Sequence, residues 1–157
     1  MPDDPYRTDI VTWSRQQAER LRRHVAGERV NDLDWEHVIE EIEDLGSSEI
    51  AAVRSLLGQA MLHALKIARW PESDAVNHWF GEAVNFLGQA QDRYRPSMAQ
   101  AISVEKSFKL ARRAALATPG DDPGQPIPET TSLTVAELMD ESADLRALVE
   151  AIGRGPA

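Results

Sequence analysis

Cysteine is absent from this chain of 157 residues, which excludes a disulfide framework and any thiolate nucleophile or metal ligand. Long apolar runs are missing too. The most apolar segment is interrupted by Arg54, His63, Lys66 and Arg69, so no stretch of eighteen apolar residues exists and no transmembrane helix is expected. Positive charge is in short supply, with 17 Lys and Arg against 26 Asp and Glu and a formal net charge of −9. That balance argues against broad electrostatic attraction to nucleic acid or to an anionic membrane. The opening MPDDPYRTD is acidic and has no apolar core, so no secretory signal is read there. A cytoplasmic protein with neither membrane nor nucleic acid as its partner is the expectation.

Catalytic signatures are equally scarce. The chain contains no Gly-x-Ser-x-Gly elbow and no Gly-x-x-x-x-Gly-Lys-[Ser/Thr] loop, which removes the familiar acyl-transfer and P-loop nucleotide sites. Ser47, Ser48 and Ser55 have no ordered base to make any of them a nucleophile. No β-hairpin signal and no internal repeat occur. No cofactor is implied.

What is present is helix. Apolar residues make up 42% of the chain and charged residues 27%, which is ordinary globular usage for one domain able to bury a core without staples. The stretch from Leu33 to Trp70 organises the rest. Trp35, Val38, Ile39, Ile42 and Leu45 recur at helical spacing, and Asp34 is a suitable N-cap, with Leu33 and Val38 placed for a hydrophobic staple. Gly46 offers a stop or a bend. Beyond it Ile50, Val53, Leu57, Ala60, Met61, Ala64, Leu65 and Ala68 form one apolar stripe, with Leu56, Ile67 and Trp70 beside it. A helix apolar over so much of its circumference is surrounded by other helices. Pro71 ends it.

Residues 1–8 read as a flexible lead. Asp9 caps a first helix to about Ala26, with Ile10, Trp13, Gln17, Leu21 and Val25 on its stripe and Arg15, Arg20, Arg22 and Arg23 elsewhere around it. Those arginines read as a solvated face meeting the acidic second helix. Ser73 or Asp74 caps a fourth helix carrying Val76, Phe80, Ala83, Val84, Leu87 and Gln91, with Trp79 beside the stripe. Pro96 opens a fifth, running to about Ala117. TPGDDPGQPIPETTS, residues 118–132, is a Pro-rich strap that Ile127 pins to the bundle. Thr134 with Glu137 makes a capping box for a short helix to about Glu141. A last amphipathic piece, Leu145 to Ile152, precedes a frayed tail at 153–157.

The segments LDWEHVIEEIEDLG and LLGQAMLHALK resemble the signature of a bacterial family known as domain of unknown function 29. Tyr6, Asp9, Trp13 and Gln17 match its N-terminal pattern. Leu33, Asp34, Glu40, Glu41, Ile42, Glu43, Leu45 and Gly46 match its acidic core. Met61-Leu62-His63-Ala64-Leu65-Lys66 stands where the family has Leu-x-His-Leu-Leu-Lys, while His78-Trp79, Pro96-Ser97-Met98 and Ile127-Pro128 are departures from its later motifs. The resemblance covers roughly 6–140 and implies an all-α fold without an established activity.

Two groups of residues invite a function. His37, Glu40, Glu41 and Asp44 crowd the second helix, and with His63 they are candidate ligands for a divalent metal, since di-metal bundles use carboxylate and Glu-x-x-His sets on facing helices. The spacing here is His-x-x-x-Glu, and no other helix repeats it. The structural alternative is that these carboxylates flank an apolar stripe and pair with Arg54, Lys66 or the arginines of the first helix, and that His63 is a partly buried residue with one satisfied nitrogen. Trp13, Trp35 and Trp79 are candidate partner-binding anchors, because an exposed tryptophan is an effective interface residue; each serves equally well to close a bundle. The expectation is an all-α helical bundle of four to five main helices with a Pro-rich strap and a short C-terminal helix. Its function is unknown from sequence. Its favoured reading is a protein-interaction module or homo-oligomer, and the alternative is a metal-dependent or acid/base enzyme.

Overall fold

Helices account for every regular element among the described residues of the computed structural model, which are residues 4–120 and 122–157. They are α1 (Pro5–Thr8), α2 (Ile10–Val25), α3 (Trp35–Arg69), α4 (Val76–Arg93), a 3₁₀ segment (Pro96–Ala101), α5 (Val104–Ala117), α6 (Val135–Leu138) and α7 (Leu145–Arg154). The all-α fold expected from the periodicity is the fold observed. No helix among the described residues is long and apolar enough to cross a membrane.

The chain divides into two compact units, Met1–Ser47 and Ser48–Ala157. In the first, part of the expected flexible lead is ordered: Asp4 caps α1 by accepting the Tyr6 N–H at 3.1 Å. Residues 1–3 lie outside the described residues. Asp9 caps α2 as expected, accepting the Thr12 N–H at 3.0 Å. Gly27, at φ +87°, supplies the left-handed turn that ends α2, its N–H donating to His24 O. Among the described residues of this unit, Trp13, Gln17 and Val38 are the buried ones.

The stop or bend expected at Gly46 does not occur. α3 runs unbroken through Gly46, Ser47 and Ser48 for 35 residues, and the boundary between the units falls inside it. Glycine in a helix interior costs only about 1 kcal/mol relative to alanine, and good helix formers stand on both sides of it. Ser47 is absorbed by donating its hydroxyl back to Glu43 O at 3.2 Å.

In the second unit the rest of α3 meets α4, α5 and α7 around one core. Val53, Leu57, Ala60, Met61, Ala64 and Leu65 are buried there with Leu87, Phe108, Leu138 and Ile152. This is the stripe the sequence places at the centre of a bundle. α4 begins after Ala75, a position without a side-chain cap, and the Ser73 hydroxyl accepts the Ala75 N–H just ahead of it. The continuous fifth helix expected from Pro96 is two elements. Ile102 is 4% exposed and extended, turning into the core between the 3₁₀ segment and α5, and Ser103 caps α5 by accepting the Lys106 N–H. The strap is pinned as expected, with Ile127 buried, Arg69 O accepting the Gln125 N–H at 2.7 Å and Arg112 Nε donating to Pro128 O. The Thr134–Glu137 capping box is present, although α6 stops at Leu138. Gln91, buried on α4, donates to Leu138 O at 2.9 Å and to Asp140 O at 3.2 Å. The tail expected to fray from 153 is helical to Arg154.

Candidate functional site

Five of the residues that carry the family resemblance, Tyr6, Trp13, Gln17, Asp34 and Glu40, converge in the first unit around the start of α3, with His37 among them. Asp34 is the hub. Its Oδ2 accepts the indole N–H of Trp13 at 3.1 Å and the Nδ1–H of His37 at 2.7 Å, while its own backbone N–H donates to Gln17 Oε1 at 3.0 Å. Tyr6 lies over the His37 ring with centroids 3.9 Å apart and edge-on to Trp13 at 5.0 Å, and its hydroxyl donates to Glu40 Oε2 at 3.3 Å. Six residues thus form one clamp of hydrogen bonds and stacked rings, which fastens α1 and α2 to the head of α3. The order of the chain makes this possible: Trp13 and Gln17, one turn apart, share one face of α2 and reach the cap residue together.

The electrostatics follow from these contacts. Burial pushes the Asp34 carboxyl up, but the hydrogen bonds from His37 and Trp13 outweigh it and hold the group below its ordinary range. His37 is raised, first by its bond to Asp34 and against the opposing effect of burial. Tyr6 is pushed up to about 12, chiefly by hydrogen bonding to Glu41, then by burial and by the charge of Glu40. Both carboxylates act on the phenol: its direct hydrogen bond is to Glu40, and the larger influence on its acidity comes from Glu41. A phenol stacked on an imidazole and held by carboxylates stays neutral at physiological pH. Its role in this geometry is as a donor.

The expected metal cluster does not assemble. Among the described residues no group of three or more His, Asp or Glu side chains is placed to hold a metal ion. His37 turns its Nδ1 to Asp34, one turn before it, rather than joining Glu41 on a common cation. Glu40 accepts from Tyr6. Asp44 is exposed. His63 belongs to the second unit, where Nδ1 donates to Gln59 O at 2.8 Å and the ring lies 5.6 Å from Phe86; this is the satisfied, half-buried histidine of the structural alternative. The expected pairing of the acidic residues with Arg54, Lys66 or the α2 arginines is also not seen among the described residues. Arg20 pairs with Asp32, Arg22 with Glu19 and Arg23 with Glu28, and the Lys66 ammonium sits 5.6 Å over the Trp79 ring.

The three tryptophan candidates separate. Trp13 is 6% exposed and committed to Asp34, so it is a core residue of the first unit and not a surface anchor. Trp79 is half-buried in the second unit beside Trp70, ring centroids 6.1 Å apart, on a cavity of about 670 Å³ that Arg69 and Asp122 also line. Trp35 is 49% exposed, with His24 edge-on to it at 5.8 Å.

Trp35 is not alone. Ile39, Ile42 and Leu45, which follow it at offsets of four, seven and ten, are 53%, 66% and 67% exposed. The apolar stripe of the α3 head, which the sequence pattern would assign to a core, faces outward instead; Val38 is the member of it that is buried. Ile10, Val11 and Val25 of α2 are exposed as well. Sequence reasoning named Trp35 as a candidate anchor but missed the rest of this surface, because helical periodicity identifies an apolar face without saying what covers it.

Comparison with known proteins agrees with the all-α fold. The family model described as domain of unknown function DUF29 matches residues 5–143, and the chain belongs to that family. It is similar over 96% of its length, and over 98% of the other chain, to an α-helical protein of unknown function from Rhodospirillum rubrum, at 29% sequence identity and a TM-score of 0.69. No curated protein matches it. The family and its structural relative both stand without a known function.

Proposed function

We propose that this member of the family is a small cytoplasmic interaction module, and that the head of α3 is the surface it presents to a protein partner. One observation carries the reading: Trp35, Ile39, Ile42 and Leu45 stand in a single helical stripe, each about half exposed or more. Contiguous apolar patches of several hundred Å² rimmed by polar residues mark interaction sites, and this stripe is rimmed by Glu36 and Glu43. The clamp supports the same reading. It holds the first turns of α3 through Asp34, His37 and Glu40, so the stripe is offered from a braced helix rather than a loose one, which lowers the ordering cost of binding.

Site-specific photocrosslinking in cells tests this. A benzophenone amino acid replacing Ile42 should give a discrete adduct. The same group replacing Arg113, an exposed residue of α5, should not. The adduct from position 42 should disappear when Trp35 and Ile39 are both changed to Ser. No adduct, or the same adducts from both positions, overturns the proposal.

A further inference from the structure

The first unit has too little core for the apolar surface it carries. Among its described residues Trp13 and Val38 are the buried apolar ones, while Ile10, Val25, Trp35, Ile39, Ile42 and Leu45 remain exposed. With exposures from 44% to 85%, these six present on the order of several hundred Å² per copy, the scale of the ~800 Å² that each partner contributes to a standard-size interface. Helix positions turn by 100° per residue, which sets where these residues stand. On α3 the exposed stripe lies beside the buried Val38 face, and Glu36 with Glu43 form its far edge. On α2, Ile10 and Val25 lie beside the buried Trp13 and Gln17 face, and Arg15 with Arg22 form the far edge. One helix pair therefore presents apolar surface edged in basic residues on α2 and in acidic residues on α3.

Those edge charges are not satisfied by each other within the chain. Among the described residues no ion pair joins α2 to the head of α3, and Glu36 and Glu43 pair with no cation. The α2 segment carries four arginines against Glu19. The head of α3 carries Glu36, Glu40, Glu41, Glu43 and Asp44 with no Lys or Arg up to Gly46. A surface that holds both signs on two adjacent helices is complementary to itself.

Resting on the interaction reading above, we infer that the occupant of this surface is a second copy of the chain. Two first units pair through the stripes of α2 and α3 as the halves of a four-helix bundle, with α2 of each copy facing the α3 head of the other. In such an isologous contact every pairing occurs twice. Arg15 and Arg22 of one copy meet Glu36 and Glu43 of its partner, and the reverse. The apolar residues supply the association, and the charges set which helix faces which.

Sedimentation of the full chain, with helicity checked by circular dichroism, is the test. The wild type should be a dimer at micromolar concentration, and Ile42→Glu should weaken it by about tenfold or more, as loss of a central apolar contact does. Two charge-reversed chains give the decisive arm. One carries Arg15→Glu with Arg22→Glu, the other Glu36→Arg with Glu43→Arg. Each alone should be largely monomeric, because both of its edge contacts become like-charged. Mixed, they should form a heterodimer. A monomeric wild type, a dimer indifferent to Ile42→Glu, or folded reversed chains that fail to associate on mixing would each overturn the inference. A monomeric wild type together with a position-42 adduct to a different protein would leave the interaction reading standing and remove the second copy as its occupant.

Discussion

Replacing Trp13 by alanine should unfold the first unit and leave the second intact. Trp13 is 6% exposed, so the substitution returns roughly 200 Å² of aromatic surface to water, about 5 kcal/mol at ~25 cal/mol per Å². Measured Trp-to-Ala changes in cores cost about 3–5 kcal/mol, and removal of the indole N–H also deprives Asp34 of one donor. Val38 is the other buried apolar side chain of that unit, so nothing there can absorb such a loss. The second unit keeps its own core of Leu57, Met61, Leu65, Leu87 and Phe108. Hydrogen exchange followed by mass spectrometry reads the difference directly. Amides of α1 and α2 and of α3 up to about Ser47 should lose protection, since helices in proteins owe most of their stability to tertiary packing and these would have lost theirs. Amides of α3 beyond Val53 and of α4 and α5 should exchange as in the wild type. Protection lost evenly across both units, or kept throughout, would refute the assignment of Trp13 as the keystone of an independent first unit.

Three further outcomes are expected. The clamp should be most stable between about pH 4 and 6.5. Asp34, lowered below its ordinary 3.8, contributes above that value and is lost as the pH falls through its folded value; His37, raised above 6.5, contributes fully below 6.5 and is lost as the pH rises through its folded value. Exchange rates of α2 amides against pH, compared with His37→Gln, which should flatten the upper arm, check this. In a Tyr94→Phe background, where Tyr6 is the remaining tyrosine, ultraviolet titration should show ionisation near 12 and a midpoint that falls toward 10 once Glu40 and Glu41 are both replaced by Gln, burial keeping part of the rise; a native midpoint already near 10 would remove the clamp's phenol contacts. Gly124 stands at φ +70°, and a Cβ there would come within 2.5 Å of Arg69 Cγ, so Gly124→Ala should cost on the order of 1–3 kcal/mol; it should also free the strap from Trp70, whose indole N–H donates to Asp122, and tryptophan emission should report the change.

The helices, most of their caps and the second unit's core are written in local sequence. Asp9 and Thr134, both expected as caps, each stand one residue ahead of a helix and accept its early N–H groups, a requirement that any helix start imposes; Ser103 and Asp144 do the same without having been expected. The stripe from Val53 to Leu65 reads as central because apolar residues cover so much of the helix surface, and it is buried. Ser103 was hidden inside an apparently continuous pattern from Pro96 to Ala117, because periodicity alone does not register the extended turn that drives Ile102 into the core.

Tertiary structure decided what the patterns are for. The acidic motif at the head of α3 is compatible in sequence with a metal site, an ion-pair face or a clamp, since carboxylates at helical spacing serve all three. Only the arrival of Tyr6 and Trp13 from α1 and α2 shows that Glu40 and Asp34 are hydrogen-bond acceptors in a clamp, which Gln17 completes by accepting the Asp34 backbone N–H. The stripes of Val53 and of Ile42 look alike in sequence, yet one is fully buried and the other is 66% exposed. Periodicity measures how apolar a helix face is. Whether that face becomes core or contact surface depends on which other elements the chain has left to lay against it.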